Sequence, residues 1–548
     1  MQTTVPQTGG LLRRMLGLGG VPHAGRRRAP AVLWLPSVAV AIAMVLPLVY
    51  LVERSLDGGG EVVGLLWRMR TAEIAFRSAA LVAVVTVASA LIAAPLAWLT
   101  VRTDLPLRRF WSVVTVLPLV IPSYVGAFLV VVALGPRGML QGFLESLFGI
   151  ERLPDISGLW GAALTITLLS FPYTLLSVRA GLWGQDPALD EMSRSLGLGQ
   201  WKTLWRVTLP QMRPSIAAGS LLVALYTLSD FGAVSLLRYE TFTWAIYLQY
   251  ETAFNRALAA GLSLVMIAAA LSLVVLEAQA RGRSRYYRAA TGAARPASLV
   301  QLGPWRWPAF AFAAAVTALS LGMPLALLAY WAVRGIAAGE TVELLWGNAL
   351  NSVYASGLAA VVAVLAAVPV VVFTLRYPGR VSWVVERLAY TGFALPGIAV
   401  ALALIFFGAR FATPLYQTLA LLVFAYVVLF FPQALGAIRS TYLQVSPRLS
   451  ESAMSLGKST TSILWRVTLP LMVPGMLAGG ALVFLTAMKE LPATLLLSPI
   501  GFGTLATSIW AAAEEAFFAR AAVPALLLVA VSAVPTAFLI LREPRRGQ

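Results

Sequence analysis

Apolar stretches of about 20 residues, almost free of charge, recur along the whole chain, and each is long enough to cross a hydrocarbon layer of roughly 30 Å. Read this way, the pattern predicts twelve spans, near 31–53, 73–101, 110–134, 159–180, 213–237, 256–280, 305–333, 349–375, 384–409, 415–438, 472–497 and 519–541. The first apolar run, Ala31 to Val52, has no small-residue cleavage site before Glu53 and Arg54, which points to a retained span rather than a cleaved signal. The expected fold class is therefore an all-α polytopic membrane protein.

The pattern also repeats. At an offset of 260 residues, "EMSRSLGLGQWKTLWRVTLPQMRP" (191–214) aligns without a gap to "ESAMSLGKSTTSILWRVTLPLMVP" (451–474), with 13 of 24 positions identical. The same offset pairs Phe171-Pro172 with Phe431-Pro432, Arg179 with Arg439, and Asp230 with Glu490. Earlier in each half the offset becomes 274 for Pro95 and Arg102 against Pro369 and Arg376, and 278 for Leu117-Pro118 against Leu395-Pro396. The last pairing implies an insertion of 18 residues in the outer loop around 135–158.

Two tandem units of six spans enter the membrane in the same sense and are expected to be related by a pseudo-twofold axis along the membrane normal. The corresponding division is a tail at 1–30, a first transmembrane domain at 31–280, a polar basic linker at 281–304, a second transmembrane domain at 305–541 and a tail at 542–548. Prolines 95, 122, 369 and 396 lie within or near spans, as sites of bending during transport or as static kinks.

Charge then fixes orientation. The net charge of +18 would suit a nucleic-acid binder if it formed one patch. Instead, with the N-terminus inside, the inner segments and adjoining helix ends hold 29 Lys/Arg against 8 Asp/Glu, and the outer ones 12 against 15. This is a positive-inside bias, so the basic residues are topology signals and no nucleic-acid partner is expected. Both termini are expected in the cytoplasm. The chain has no Cys and one His, which excludes disulfides, thiolate zinc sites and His-rich metal sites.

The repeated inner segment has a readable local structure. Asp186-Pro187 and Ser446-Pro447 are an N-cap followed by a proline suited to the first helical turn. The helix should stop about ten residues on at Gly197 and Gly457, where glycine accepts the left-handed cap conformation. A second amphipathic stretch, Leu204 to Thr208 or Leu464 to Thr468, leads through Leu-Pro into the next span. Met192, Leu196, Leu204 and Val207 would give an apolar knob outside the bilayer, fit either to dock in a partner's groove or to pack on its own bundle.

The Glu…Gly…Leu-Pro arrangement, present twice, resembles the "EAA" loop of permease subunits of ABC importers. Two stretches, "LSDFGAVSLLRYETFTWAIYLQY" (228–250) and "MKELPATLLLSPIGFGTLATSIW" (488–510), are similar to the fused, double-length permeases of the ferric-iron uptake family. That resemblance implies a type I importer fold in the bacterial cytoplasmic membrane, with no catalytic residue and no cofactor on this chain. It also implies two copies of a separate ABC ATPase carrying ATP and Mg, and an extracytoplasmic ferric-iron-binding protein. The coupling residues it implies are Glu191, Ser195, Leu196, Gly197, Leu209 and Pro210, with Glu451, Ser455, Leu456, Gly457, Leu469 and Pro470.

Asp230 and Glu490 occupy equivalent places in the span after each coupling segment. Carboxylates in spans are costly and usually face a cavity, a partner charge or a pathway. As a pair on a common axis they would make a hard, oxygen-rich entrance for a hard cation; as a structural feature they would pair with Lys489 and Arg238. No resident metal site is assigned. Glu240, Glu251, Glu514 and Glu515 at the outside could receive a binding protein or be solvated loop charges.

Three other functions are open to such a sequence: an importer for thiamine, a phosphonate or a polyamine; an ion-driven secondary carrier; and an enzyme holding nucleotide on Gly457-Lys458-Ser459. The last is weak, because a P-loop needs glycine where Ser452 stands and the first copy reads Gly197-Leu198-Gly199.

Overall fold

The computed structural model describes residues 29–185, 192–193, 195–253, 255–280, 299–339 and 345–541. Among them, ten helices are long and apolar enough to cross a membrane. Leu209–Ser229 and the shorter apolar helix Gly397–Phe411 fill the two remaining predicted places. The linker 281–304 and both tails lie largely or wholly outside the described residues.

Each half is built on the same trio. Met69–Arg102, Leu159–Gly184 and Leu209–Ser229 pack together in the first half, and Leu345–Arg376, Leu419–Tyr442 and Leu469–Met488 in the second. Buried Ala355, Ala359, Ala363 and Ala367 recur every fourth residue along one of these helices. In lipid, where apolar side chains gain little by meeting one another, small residues let helix backbones approach closely.

Four spans predicted as continuous are broken. The stretch 110–134 is a helix Arg108–Val114, a tight turn Leu117–Val120 and a new helix Ser123–Leu134. Its counterpart at 384–409 runs Arg380–Ala389, Thr391–Ala394 and Gly397–Phe411. The cause is local: Ile121 and Leu395 precede prolines, whose rings clash with a helical neighbour, and both are extended with ψ of 121° and 115°. The stretches 213–237 and 472–497 break at Asp230 and at Lys489 to Leu491, then restart as the short helices Gly232–Leu236 and Pro492–Leu497. Pro95 and Pro369, by contrast, sit inside unbroken helices.

These breaks correct the repeat register. The turns Leu117–Val120 and Thr391–Ala394 superpose in sequence at offset 274, so Ile121-Pro122 matches Leu395-Pro396, and Leu117-Pro118 does not. The outer insertion is then 274 − 260 = 14 residues rather than 18, and it supplies the helix Met139–Phe148.

The halves exchange their first helices. Ala31–Asp57 packs on Leu345–Arg376, Arg380–Ala389 and Gly397–Phe411 of the second half. Tyr50 meets Phe406, Phe407 and Phe411 there, and Arg410 lies 3.7 Å from Glu53 and 3.6 Å from Asp57. Conversely, the opening helices of the second half lean on Met69–Arg102 and Ser123–Leu134, with Trp111 and Phe310 edge to face at 5.4 Å. The two sequence units are thus interlocked.

An arginine braces each of the broken spans 110–134 and 384–409, Arg179 buried and Arg439 half-buried. Arg179 donates to the Ser112 carbonyl at 2.6 Å and to Thr115 Oγ1 at 3.0 Å. Its counterpart Arg439 pairs with Glu386, which stands in the repeat where Ser112 stands. Both partners are about 30% exposed, 29% and 30%, so water screens the pair only in part. Arg439→Ala strands Glu386 and is expected to destabilise the protein by about 1–3 kcal/mol, the cost of an unpaired charged hydrogen-bonding group. Thermal unfolding in detergent checks this, with Arg439→Ala/Glu386→Ala regaining part of the loss.

Candidate functional site

The four breaks meet in two equivalent constructions. In the first half, Asp230 ends its span and accepts the Ala233 N–H at 2.9 Å, capping the short helix that follows. The Asp230 carbonyl in turn accepts the Thr243 hydroxyl at 2.6 Å. Ser123, the first residue of the restarted helix Ser123–Leu134, stands beside the Asp230 carboxylate. In the second half, Glu490 accepts the Ala493 N–H at 3.3 Å, and Gly397 opens the restarted helix beside it. A Cβ on Gly397 would lie 2.4 Å from Glu490 Oε1, so glycine is what lets this longer acid approach the helix start. Each carboxylate therefore faces a helix N-terminus, where unpaired N–H groups and the helix dipole favour negative charge.

The two acids are also within electrostatic reach of each other. Asp230 is 6% exposed and Glu490 half-buried. Among the described residues neither forms an ion pair. Lys489 points elsewhere, donating to the Leu119 carbonyl of the other half at 2.5 Å, and Arg238 acts on Asp155 in the outer loop. Among the described residues, helix capping thus takes the place of the salt-bridge reading of the acidic pair.

Sequence reasoning passed over what surrounds them. Glu490 borders a narrow gap, too tight for a water molecule, with Ser352, Ser356, Tyr426, Thr494 and Thr504. Tyr426 hydroxyl and Thr494 Oγ1 are 2.6 Å apart. Tyr124, next to Ser123, lies within electrostatic reach of Glu490 and Tyr426. The only signal for these residues was a polar side chain inside an apolar run.

Of the outer acids, Glu240 is already engaged, 2.8 Å from Arg70 and 3.9 Å from Arg77. Glu251 and Glu514 close the short outer helices Phe242–Glu251 and Leu505–Glu514. Those helices are held by matching bonds, the Phe242 N–H to Ser78 and the Leu505 N–H to Ser352.

In the two repeated segments the glycine stops take their expected form. Gly197 and Gly457 have φ of +81° and +73°, and the following N–H groups return to Ser193 and Ala453 at 3.1 and 3.2 Å. The second-copy helix runs Pro447–Ser455 and includes Glu451, while Glu191, Asp186 and Pro187 lie outside the described residues. Ser195 and Ser455 turn their hydroxyls back on Met192 and Ser452, each at 2.8 Å. Of the expected apolar knob, Met192 and Leu196 are exposed, whereas Leu204 and Val207 are half-buried. Leu196 and Leu456 stand out at 77% and 78% exposure.

The segments that follow, Leu204–Thr208 and Leu464–Thr468, are single π-helical turns running without interruption into Leu209–Ser229 and Leu469–Met488. Leu209-Pro210 and Leu469-Pro470 open these spans, where a proline lacks the N–H an ordinary α-turn would use. Gly457 closes a helix and no strand leads into it, so Lys458 and Ser459 form no phosphate loop.

The family described as "Binding-protein-dependent transport system inner membrane component" matches the chain twice, over residues 89–283 and 359–547. The chain belongs to that family. It is a multi-pass permease of the inner membrane and not an enzyme, with two family units fused in tandem. An Fe(3+)-transport system permease protein of Haemophilus influenzae is 35% identical over 518 residues, covering 94% of this chain and 98% of that protein. A ferric transport system permease protein of Actinobacillus pleuropneumoniae is 23% identical over 70% of this chain and 59% of its own length. A molybdenum transport system permease protein of Escherichia coli is 36% identical over 193 residues, 34% of this permease and 82% of its own length.

Proposed function

We propose that this permease forms the membrane pathway of an ATP-driven importer of ferric iron. The observation that carries the cargo is the likeness, over nearly the full length of both chains, to a permease named for Fe(3+) transport. The interior agrees with it chemically. Two carboxylates with no ion-pair partner among the described residues would attract a hard cation and repel an oxyanion, the form molybdenum takes in water.

In this reading two copies of a separate ATPase dock on the segments ending at Gly197 and Gly457, through Leu196, Leu456 and the adjoining Glu191, Ser195, Glu451 and Ser455. Leu209-Pro210 and Leu469-Pro470 carry the movement into the spans that end at Asp230 and Glu490. ATP and Mg bind the ATPase, and this chain holds no cofactor. A ferric-iron-binding protein delivers cargo at the outer face, and both termini lie in the cytoplasm. The inner segments also separate this reading from a secondary carrier, which has no ATPase to meet.

Cells making the permease with its ATPase and binding protein are expected to take up radioactive ferric iron, and neither molybdate nor thiamine in comparable amount. Uptake of molybdate or thiamine in place of iron would overturn the cargo.

A further inference from the structure

Tyr124 is a buried phenol, 2% exposed, whose hydroxyl has no hydrogen-bond partner among the described residues. It lies within electrostatic reach of Glu490 and Tyr426, and Glu490 within that of Asp230. Tyr426, also 2% exposed, borders the same narrow gap as Glu490. Tyr124, Tyr426 and Asp230, potential oxygen ligands from both halves, are thus each within electrostatic reach of Glu490 where the broken spans meet.

Packing alone does not require the phenols. In the corrected register Tyr124 corresponds to Ile398, and at offset 260 Tyr426 corresponds to Ile166. Those isoleucines are buried just as deeply, at 1% and 0% exposure. The fold is satisfied at both places by a hydrocarbon side chain, yet in one half each it carries a hydroxyl, and at Tyr124 that hydroxyl is left unpaired. Tyr124 is one of eleven buried hydroxyls without a partner among the described residues, so what distinguishes it is its place within electrostatic reach of Glu490 together with the loss of the hydroxyl in the other half.

Phenolate and carboxylate oxygens are hard donors, and tyrosinate is an established ligand of protein-bound iron. We propose that Tyr124 and Tyr426 join Asp230 and Glu490 as a transient coordination site for ferric ion in transit, one carboxylate and one phenol coming from each half. This rests on the ferric reading above. Each Fe–O(phenolate) bond forms as one phenolic O–H bond breaks, and the proton leaves to the aqueous side from which the ion entered. Iron stays ferric throughout, so no reductant is involved. Because the ligands come from both halves, movement of one half against the other would separate them and release the ion.

The test is visible absorption of the full-length permease, bound to its ATPase in lipid nanodiscs and titrated with ferric nitrilotriacetate. Nitrilotriacetate has no phenol, so a phenolate-to-iron charge-transfer band reports tyrosine ligation. The band is expected in the unmodified chain, at least fivefold weaker in Tyr124→Phe, weaker in Tyr426→Phe and unchanged in Tyr239→Phe, whose hydroxyl donates to the Arg77 carbonyl. ATP-driven iron uptake is measured on the same samples. Iron uptake with no band, or with a band untouched by Tyr124→Phe, overturns the coordination site and leaves the ferric reading standing. Absence of iron uptake by the unmodified chain overturns both. Tyr124→Phe removes only an unpaired hydroxyl, and its unfolding temperature confirms that the fold is retained.

Discussion

Asp230→Asn and Glu490→Gln combined in one chain are expected to cut ferric-iron uptake at least tenfold while raising, or leaving unchanged, the stability of the permease. The two effects run in opposite directions for one reason. A carboxylate held in a membrane interior is unfavourable by about 2.5–3.5 kcal/mol on insertion scales, and an amide of the same shape relieves much of that. Its hydrogen bond from Ala233 or Ala493 survives, because an amide oxygen also accepts. What is lost is attraction for a cation: one pair of unit charges 4 Å apart gains about 4 kcal/mol at an effective dielectric constant of 20, and a tenfold effect needs only ~1.4 kcal/mol. If the acids merely capped helices, the double variant would transport normally. Iron uptake and thermal unfolding on one preparation separate the cases, and normal uptake removes the acids from the pathway.

Placing a charge on each inner knob, Leu196→Glu with Leu456→Glu, is expected to abolish ATPase binding and ATP-driven uptake. Both side chains are exposed in the isolated chain, so the substitutions should leave its own stability within about 0.5 kcal/mol. Burying a leucine in a partner's groove contributes about 1.5–3 kcal/mol, and a glutamate in its place adds the desolvation of a charge. Two sites acting together make the loss far larger than either alone. The single variants are expected to retain weak binding. Co-purification of the ATPase with full-length permease reads this directly, and undiminished recovery with the double variant places the docking surface elsewhere.

Hydropathy located the spans, and the repeat located the paired glycine-stopped segments and the acidic pair, because both signals are local and periodic. The glycine stops at Gly197 and Gly457 were legible for the same reason: residue type and turn geometry are linked at a single position. Helix breaks were harder, since a window of 20 residues averages across Ile121-Pro122 and Leu395-Pro396, and the apolar character on either side hides a short non-helical piece. The misleading match of Leu117-Pro118 arose because the first half has two candidate prolines four residues apart. Exchange of the first helices left no mark in local pattern, because lipid-facing and partner-facing apolar residues look alike. Tyr124 and Tyr426 escaped notice because the repeat replaces each by isoleucine, so neither stands out by symmetry.

The central claim is that this permease, worked by a separate ATPase, moves ferric iron. Proteoliposomes containing the permease and its ATPase, with the iron-loaded binding protein outside and nucleotide inside, test it most directly. Radioactive iron is predicted to accumulate with ATP and not with a non-hydrolysable analogue, and molybdate and thiamine are predicted to remain outside. Accumulation of iron that is equal with and without hydrolysable ATP, or no accumulation at all, would contradict the account.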